Sequence, residues 1–316
     1  MSTAEARPRC RVCGEELSSP ALPALDRHQG IAGEFRVVEC SGCGVAWTLP
    51  LADDEELGAF YPSETYAPYH QPGGAIGRLL FALANGSRFR APPFHEASVR
   101  PRGRLLDVGC GRGDLLASFA ARGWEVEGCD PSETAVAVCR DRGLSVSHGA
   151  LADVAGSLPD ATFDVVVYLH ALEHVNDPVR ELELARRLLA PGGSVLISVP
   201  NWDSWQRRLF RGRWFHLDPP RHRIHLSEGS LRTVARRAGL AVLWTRTGTS
   251  ALGLPWSLQY VVGGRILTGG RWQLPAYFAA AALYPLTWVA GRIGGSGDFL
   301  HAALAHPSAP GSQSSP

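Results

Sequence analysis

Lysine is absent from this sequence, and all 31 of its Lys-plus-Arg residues are arginine. The absence excludes chemistry that needs a lysine amine, such as a Schiff base, an anchor for pyridoxal phosphate or the lysine of a phosphate-binding P-loop. Net charge is almost absent as well, because the formal value at pH 7 is only +1. No overall field therefore favours nucleic acid as a partner, and only local basic patches remain open.

An apolar run is missing from the first ten residues, MSTAEARPRC, so we expect no signal peptide and a cytoplasmic protein. Cysteine occurs seven times, at Cys10, Cys13, Cys40, Cys43, Cys110, Cys129 and Cys139. An odd number of cysteines, four of them in two CxxC pairs, does not suit a disulfide framework. The cysteines instead indicate a reducing compartment and a metal site.

The two CxxC pairs are each followed by glycine. Cys10 and Cys13 form the first pair and Cys40 and Cys43 the second, with 26 residues between the pairs. Each pair can turn two thiolates toward one ion, and the glycine relaxes the turn. This spacing predicts a structural zinc ion held by four thiolates, which leave no open position for a substrate. The alternative is a set of four cysteines without a metal.

The residue composition and patterning change along the chain and predict its domain organisation. A zinc-binding module is expected over residues 1–60, followed over residues 61–100 by a connector with a short helix near Ile76–Asn85. Strand and helix patterns alternate over residues 101–305, which predicts an α/β fold with a doubly wound, mostly parallel sheet. The Pro/Ser-rich tail, residues 306–316, is expected to be disordered.

Apolar patterning and capping residues set the expected boundaries within the α/β region. The expected strands are 105–110, 124–130, 144–149, 163–171, 194–200, 240–248 and 298–305. The expected helices are 113–123, 131–143, 177–189 and 231–239. Asp177 and Pro178 favour a helix start, because aspartate caps helices and proline fits the first helical position. Residues 249–296 are almost uncharged and are predicted to form an apolar insertion or lid.

The strongest local signal lies where the first strand meets its helix. Gly109, Gly111 and Gly113 let the backbone turn sharply and approach a ligand, and the helix N-terminus offers free N–H groups. A glycine-rich turn alone is also typical of dinucleotide enzymes and of α/β proteins without a cofactor. Two acids favour another ligand. Asp107 can meet a cationic amino-acid group, and Asp130, which ends the next strand, can accept both ribose hydroxyls.

Four motifs in a fixed order resemble class I S-adenosylmethionine-dependent methyltransferases: LLDVGCGRGDLL, VEGCDPS, FDVVVYLHALEHVNDP and LLAPGGSVLISVPN. They cover about residues 104–201. The resemblance implies a seven-stranded, Rossmann-like sheet and S-adenosylmethionine as the cofactor. It implies cofactor contacts at Asp107, Gly109, Cys110, Gly111, Gly113, Asp130, Leu151 and Leu169. The N-terminal cysteine pattern resembles the zinc ribbons found ahead of some small-molecule methyltransferases, including sugar C-methyltransferases.

Within that resemblance, the cofactor contacts have different expected roles. Asp107 and the glycines would line the methionine side, whereas Asp130 would bind the ribose and Leu151 the adenine. The acid that usually follows the third strand is replaced by Ala150. Asp153, three residues later, is the alternative adenine-side acid.

The acceptor side is expected after the fourth strand, where His170, Glu173 and His174 follow one another. This edge is where open α/β sheets bind ligands, and methyl transfer usually needs a base for the departing proton. His170 or His174 is the candidate base and Glu173 its neighbour. The alternative is that Glu173 and His174 only shape the loop.

Two further segments suggest how an acceptor is held. Residues 202–225 contain six arginines, three histidines and several large aromatic residues. They suit either an anion-binding lid or a solvated surface loop. Residues 272–291 carry no charge but contain Pro275 and Pro285, which interrupt a spanning helix. We expect a helical hairpin or lid that covers an apolar substrate or touches a membrane surface, with a core helix as the alternative.

The favoured function is S-adenosylmethionine-dependent methylation of a small molecule at oxygen or carbon, with an amphipathic or lipid-like acceptor. One alternative is an RNA methyltransferase that uses the zinc ribbon to bind RNA, which the near-neutral charge and apolar C-terminal region do not favour. Another is a non-catalytic scaffold, which the intact set of Asp107, the glycines and Asp130 does not favour.

Overall fold

The computed structural model describes residues 8–18, 20–51, 102–265, 273–293 and 295–307. The connector helix predicted near Ile76–Asn85 and most of the predicted tail lie outside these described residues. The strands are, in chain order, β1 (Leu22–Ala24), β2 (Phe35–Glu39), β3 (Ala46–Leu49), β4 (Arg104–Val108), β5 (Glu125–Asp130), β6 (Ser145–His148), β7 (Phe163–Leu169), β8 (Leu189–Pro200), β9 (Ile224–His225), β10 (Ala241–Gly248) and β11 (Phe299–Ala305). The helices are α1 (Asp114–Ala120), α2 (Glu133–Asp141), α3 (Leu151–Val154), α4 (Pro178–Leu188), α5 (Trp205–Phe210), α6 (Glu228–Arg237), α7 (Gly253–Gly263) and α8 (Gln273–Arg292).

The larger sheet has seven strands in the order β10-β11-β8-β7-β4-β5-β6. β4 pairs in parallel with both β5 and β7, and β7 pairs in parallel with β8. β11 runs antiparallel to both of its neighbours, β8 and β10. The predicted α/β fold, with a doubly wound and mostly parallel seven-stranded sheet, is therefore confirmed.

Local sequence explains most element boundaries. The Asp177 carboxylate accepts hydrogen bonds from the amides of Val179 and Arg180, so α4 begins at Pro178 as expected. Helix α6 begins at Glu228, before the predicted start at residue 231, because the Ser227 hydroxyl caps it. β8 begins at Leu189, before the predicted start at residue 194, because a register shift keeps its first residues paired with β7.

The seven-stranded sheet is covered on both faces, which explains its apolar strands. On one face, Leu106 of β4 belongs to the buried cluster that includes Leu182 of α4 and Leu231 of α6. On the other face, Leu105 belongs to a second cluster with Phe119 of α1. Alternate residues of one strand thus serve opposite layers of the core.

The N-terminal module, residues 8–18 and 20–51, shares its sheet with the rest of the chain. β1, β2 and β3 pair antiparallel, and β9 adds to β3 by pairing His225 with Ala46 and Ile224 with Trp47. Trp47 is fully buried and belongs to the same apolar cluster as Leu231 of α6. The module is therefore packed into the core of the larger domain through a strand that follows it by about 175 residues in sequence.

A buried ion pair joins the module to residues 202–225. Both Arg221 Nη atoms donate to the Asp26 carboxylate at 2.8 and 3.1 Å, and neither side chain is exposed. Arg221 Nε also donates to Asp218 Oδ2 at 2.9 Å. This segment was expected to be an anion-binding lid or a solvated loop, and neither description fits Arg221 or Arg223, which are both buried. Arg221 instead holds the N-terminal module in place.

Residues 249–296 carry α7 and α8, which pack against each other between β10 and β11 in sequence. The expectation that Pro275 and Pro285 interrupt the helix was wrong, because α8 runs continuously through Pro285. Pro275 falls in the first turn, where backbone N–H groups have no intrahelical acceptor, and Pro285 removes one hydrogen bond from an otherwise complete helix. No helix in the described part of the chain combines the length and hydropathy that a membrane span requires.

Candidate functional site

The glycine-rich turn after β4 is hydrogen-bonded to the end of β5. The amides of Gly109 and Cys110 donate to the carbonyl of Cys129 at 2.9 and 3.1 Å. The amide of Gly111 donates to Asp130 Oδ2 at 2.8 Å. The turn and the two acids predicted from the sequence therefore lie together at the carboxyl edge of the sheet, where open α/β sheets bind ligands. We call this region the cofactor cleft.

Two glycines of the turn are needed for different reasons. Gly109 and Gly111 have φ values of 70° and 53°, which favour glycine. A Cβ atom at Gly109 would lie 2.8 Å from the Cβ of Ala171, so the turn packs directly against the residues that follow β7. A Cβ atom at Gly111 would meet nothing within 4 Å. The backbone of Gly111 is therefore open to a ligand.

Both acids of the cofactor cleft are buried, with Asp107 2% and Asp130 5% exposed. Burial and the charge of Asp130 raise the pKa of Asp107 well above its usual range. Burial also raises the pKa of Asp130, against the hydrogen bonds that it accepts from the amides of Ser132 and Gly111. Asp107 Oδ1 has no hydrogen-bond partner among the described residues. A cationic ligand group, such as the amino-acid end of S-adenosylmethionine, fits this unpartnered oxygen.

The other predicted cofactor residues lie around the same edge. Cys110 is buried in the turn, and Leu169 ends β7 beside β4. Leu151 is buried at the start of α3, the helix that follows β6. Asp153 Oδ2 accepts a hydrogen bond from the amide of Ala150 at 2.9 Å, so this carboxylate caps α3. The contacts of these residues with a cofactor stay predictions.

His170 and Glu173 form a hydrogen-bonded pair just after β7. His170 has a φ of 56°, and its Nδ1 lies 3.3 Å from Glu173 Oε1. The His170 side chain is 20% exposed, whereas that of Glu173 is 2% exposed. Burial alone would raise the pKa of Glu173, but the hydrogen bond from His170 and the charges of neighbouring histidines lower it to about 2. Glu173 is therefore ionised, and it orients the His170 ring.

His174 lies on the other side of Glu173 and meets His222, a residue that the sequence did not single out. The two rings have centroids 4.8 Å apart at an angle of 70°. His174 Nδ1 lies 2.9 Å from the carbonyl oxygen of Arg221, and His222 Nδ1 lies 2.9 Å from that of His216. Burial and the charge of His222 lower the pKa of His174 to about 4. His174 is thus held as a neutral ring at neutral pH.

Aromatic and histidine side chains connect these groups to β11. The Phe299 ring lies 4.8 Å from that of His170, 4.9 Å from that of His216 and 6.3 Å from that of His301. We call the whole group the histidine cluster, and its members are His170, Glu173, His174, His216, His222, Phe299 and His301. The density of histidines between residues 216 and 225 was the sequence signal for His216 and His222.

Asp298, next to Phe299, is a buried acid at the border of the histidine cluster. Its Oδ2 accepts hydrogen bonds from Gln206 Nε2 at 2.8 Å and from the amide of Ser250 at 3.1 Å. Burial raises the pKa of Asp298 to about 7, although the Ser250 hydrogen bond opposes the shift. From the sequence, Asp298 is predicted only as the start of the last strand.

The four N-terminal cysteines converge as the spacing predicted. Cys10 Sγ lies 3.4 Å from Cys43 Sγ, and Cys13 Sγ lies 3.3 Å from Cys40 Sγ. All four sulfur atoms lie within 4.8 Å of one another. A tetrahedral zinc ion with Zn–S bonds of about 2.3 Å needs sulfurs about 3.8 Å apart. The sulfur set therefore fits such an ion.

Comparison with known proteins agrees with this fold. Residues 82–244, about half of the chain, match the family described as "Methyltransferase domain". Ubiquinone biosynthesis O-methyltransferase from Pseudomonas syringae pv. tomato is 39% identical over 104 residues, which are 31% of this chain and 44% of that protein. The protein of the same name from Aromatoleum aromaticum is 40% identical over 103 residues, with the same coverage. The chain spans less than half the length of these relatives.

Solved structures with a similar fold have low sequence identity to this chain. A methyltransferase from Archaeoglobus fulgidus is 19% identical with a TM-score of 0.48, over 69% of this chain and 91% of that one. The 1,6-didemethyltoxoflavin-N1-methyltransferase of Burkholderia thailandensis is 18% identical with a TM-score of 0.49, over 88% of this chain and 98% of that one.

Proposed function

This chain belongs to the methyltransferase-domain family, and from that premise we propose that it transfers a methyl group from S-adenosylmethionine to a small-molecule acceptor. The observation that carries the proposal is the cofactor cleft. There, the unpartnered Oδ1 of buried Asp107 and the open backbone at Gly111 lie at the edge that also holds Asp130. A scaffold that had lost its cofactor site would have no need for a buried acid in this position.

Each residue of the cofactor cleft has a proposed task. S-adenosylmethionine, when bound, supplies an electrophilic methyl group on a sulfonium. Asp107 would pair with the cationic amino-acid end, and the glycine turn would let the backbone approach it. Asp130 would accept the ribose hydroxyls with the lone pairs that its two backbone hydrogen bonds leave. Leu151 and Leu169 would give the adenine side an apolar wall.

The acceptor is proposed to lie against His170, with oxygen as the methylated atom. The O-methyltransferase names of the relatives support oxygen, and carbon remains the alternative. Glu173 is buried, whereas the His170 side chain is 20% exposed and its Nδ1 faces Glu173. The opposite ring nitrogen, Nε2, would then hydrogen-bond the acceptor hydroxyl, which is where a general base acts. Glu173 positions this ring, and His174 shapes the turn.

Zinc at Cys10, Cys13, Cys40 and Cys43 is part of the proposal. The sulfur distances support it, and four thiolates would make the ion structural. Thiolates of this kind also need a reducing compartment, so the proposal includes a cytoplasmic location.

Cofactor binding by the purified protein tests the function. We expect the wild type to bind S-adenosylmethionine in calorimetry, and Asp130→Ala to bind about tenfold more weakly or worse, because the ribose acceptor is lost. Asp160→Ala is the matched control, since Asp160 is exposed and lies outside the cleft. Equal affinity of both variants would remove the assignment of Asp130. A wild type that does not bind S-adenosylmethionine would overturn the function.

An amphipathic acceptor is the finer part of the proposal. Helices α7 and α8 expose large apolar side chains, including Val262, Phe278, Leu286 and Trp288. Residues 249–296 contain arginine but no acidic residue. An apolar surface with guanidinium groups suits a lipid-like molecule with a polar or anionic head, or the surface of a membrane. Nucleic acid would instead call for a broadly basic surface.

Vesicle binding tests this finer part. We expect the protein to co-float with phosphatidylcholine vesicles that contain phosphatidylglycerol, and the double variant Phe278→Ser, Trp288→Ser to lose most of this binding. Leu243→Ser is the control, because Leu243 is an exposed apolar residue on β10. Equal flotation of the double variant and the control, or efficient methylation of ribosomal RNA by the wild type, would contradict the proposed acceptor class.

A further inference from the structure

Glu173, His174 and His222 come together at one point inside the histidine cluster. A carboxylate oxygen and one ring nitrogen from each histidine lie within 4.8 Å of one another. Two of these residues are adjacent in sequence, and the third comes from a segment almost 50 residues later. A carboxylate and two imidazoles in this arrangement are the usual ligands of a first-row divalent metal ion.

Both histidines are oriented as metal ligands usually are. The Nδ1 atoms of His174 and His222 each lie 2.9 Å from a backbone carbonyl oxygen. A carbonyl only accepts hydrogen bonds, so each Nδ1 carries the proton and each Nε2 carries the lone pair. Histidine ligands typically donate their other ring N–H to a carbonyl or carboxylate in this way. The backbone therefore fixes the tautomer that binds a metal.

Glu173 supplies a buried negative charge that the described residues do not fully satisfy. Its Oε1 is hydrogen-bonded to His170, but its Oε2 has no hydrogen-bond partner among the described residues. Arg221, whose carbonyl oxygen lies 2.9 Å from His174 Nδ1, is already bound to Asp26 and Asp218. A buried carboxylate oxygen without a partner destabilises the fold unless a ligand satisfies it.

Contacts from three parts of the chain hold these three side chains in place. The amide of Arg223 donates to the carbonyl of Glu173 at 2.9 Å, which fixes the two ligand segments relative to each other. Thr48 of the N-terminal module donates its hydroxyl hydrogen to the carbonyl of His222 at 2.6 Å. Asp218 Oδ2 lies 4.0 Å from His222 Nε2 and adds a second negative charge beside the site. The three side chains therefore meet where the module, the turn after β7 and residues 216–223 join.

We propose that Glu173, His174 and His222 bind a divalent metal ion, with zinc as the expected occupant, separate from the four-cysteine site. One carboxylate and two imidazoles leave at least one coordination position for water or another ligand. The ion would satisfy Glu173 Oε2 and would clamp the turn after β7 to the segment that carries the N-terminal module. The proposal needs neither cofactor nor acceptor, so it does not rest on the proposed function.

Metal content of the full-length protein tests this site. We expect protein purified without chelator and dialysed against zinc to hold two zinc ions per chain, and His222→Gln to hold one. His148→Gln is the control and should keep two, because His148 is exposed and far from both metal sites in sequence. One ion per chain in the wild type and in both variants would overturn the proposal.

Cobalt substitution identifies which site is lost. In the Co²⁺-loaded protein, thiolate-to-cobalt charge-transfer bands report the four-cysteine site alone. We expect His222→Gln to keep these bands while half of the cobalt is lost, and Glu173→Gln to behave in the same way if His222→Gln does not fold. If His222→Gln instead loses the thiolate bands together with half of the cobalt, the lost ion belonged to the four-cysteine site. That result would overturn the assignment of a metal to Glu173, His174 and His222. Calorimetry with S-adenosylmethionine on the same samples tests the proposed function independently.

Discussion

The cofactor cleft and the histidine cluster lie at the same edge of one sheet but are built in different ways. The polar and glycine residues of the cleft come from 24 consecutive positions, from Asp107 to Asp130. The cluster draws on three distant segments, 170–174, 216–222 and 299–301. A strand, a tight turn and a helix N-terminus make a ligand site from local sequence alone, whereas the cluster exists only after the sheet and the N-terminal module have packed together.

The two regions also satisfy their buried charges differently. In the cofactor cleft, Asp107 Oδ1 is unpartnered beside an open backbone, which is the condition expected before a ligand binds. In and around the histidine cluster, two pairs hold buried charges, Arg221 with Asp26 and Glu173 with His170, although Glu173 Oε2 has no hydrogen-bond partner among the described residues. Substitutions in the cluster should therefore change stability most, and substitutions in the cleft should change cofactor affinity most.

The largest effect is expected at Arg221, which joins the cluster to the N-terminal module. Arg221→Met removes the guanidinium that Asp26 and Asp218 share, and leaves the buried Asp26 carboxylate without its cation. We expect the free energy of unfolding to fall by about 3–5 kcal/mol, measured by denaturant titration. Arg208→Met is the control and should change stability by less than about 0.5 kcal/mol, because Arg208 is exposed. Equal losses in both variants would show that the buried ion pair does not hold the module.

A smaller and pH-dependent effect is expected at Asp298. Its pKa is raised from 3.8 to about 7 in the folded protein. Between these values the folded state keeps a proton that the unfolded state has lost, so the contribution of this residue to stability falls as pH rises. Asp298→Asn cannot ionise and retains an acceptor oxygen. We expect its stability relative to the wild type to improve by about 2–3 kcal/mol between pH 5 and pH 8. A difference that does not change with pH would contradict the raised pKa.

The smallest effects are expected in the glycine turn, where two alanine substitutions should separate stability from affinity. Gly109→Ala combines a positive φ with a contact to Ala171, so we expect the larger stability loss there, about 1–2 kcal/mol. Gly111→Ala meets no atom within 4 Å and should lose less stability. Its methyl group would enter the space that a ligand approaches, so it should weaken S-adenosylmethionine binding more. Thermal unfolding measures which variant loses more stability, and calorimetry measures which loses more affinity for S-adenosylmethionine. A single variant that loses more of both would contradict the distinction.

Much of the fold could be predicted because its signals are local. Runs such as FDVVVYL, caps such as Asp177 and the glycine turn depend on neighbours within a few residues, and the structure has them close to the expected positions. The start of α6 after Ser227 and the continuity of α8 through Pro285 were missed, because a cap or a tolerated proline changes the extent of a helix without changing the apolar pattern.

The amino-acid sequence by itself determined the α/β alternation, the glycine turn with Asp107 and Asp130, and the two cysteine pairs. Each of these depends on spacing over a short stretch, which chain geometry converts directly into proximity. Only the tertiary structure decided that β9 completes the sheet of the N-terminal module, that Arg221 is buried against Asp26, and that His222 reaches Glu173 and His174. These contacts join residues from about 50 to almost 200 positions apart. Their partners are selected by packing of the whole core, which no local pattern encodes.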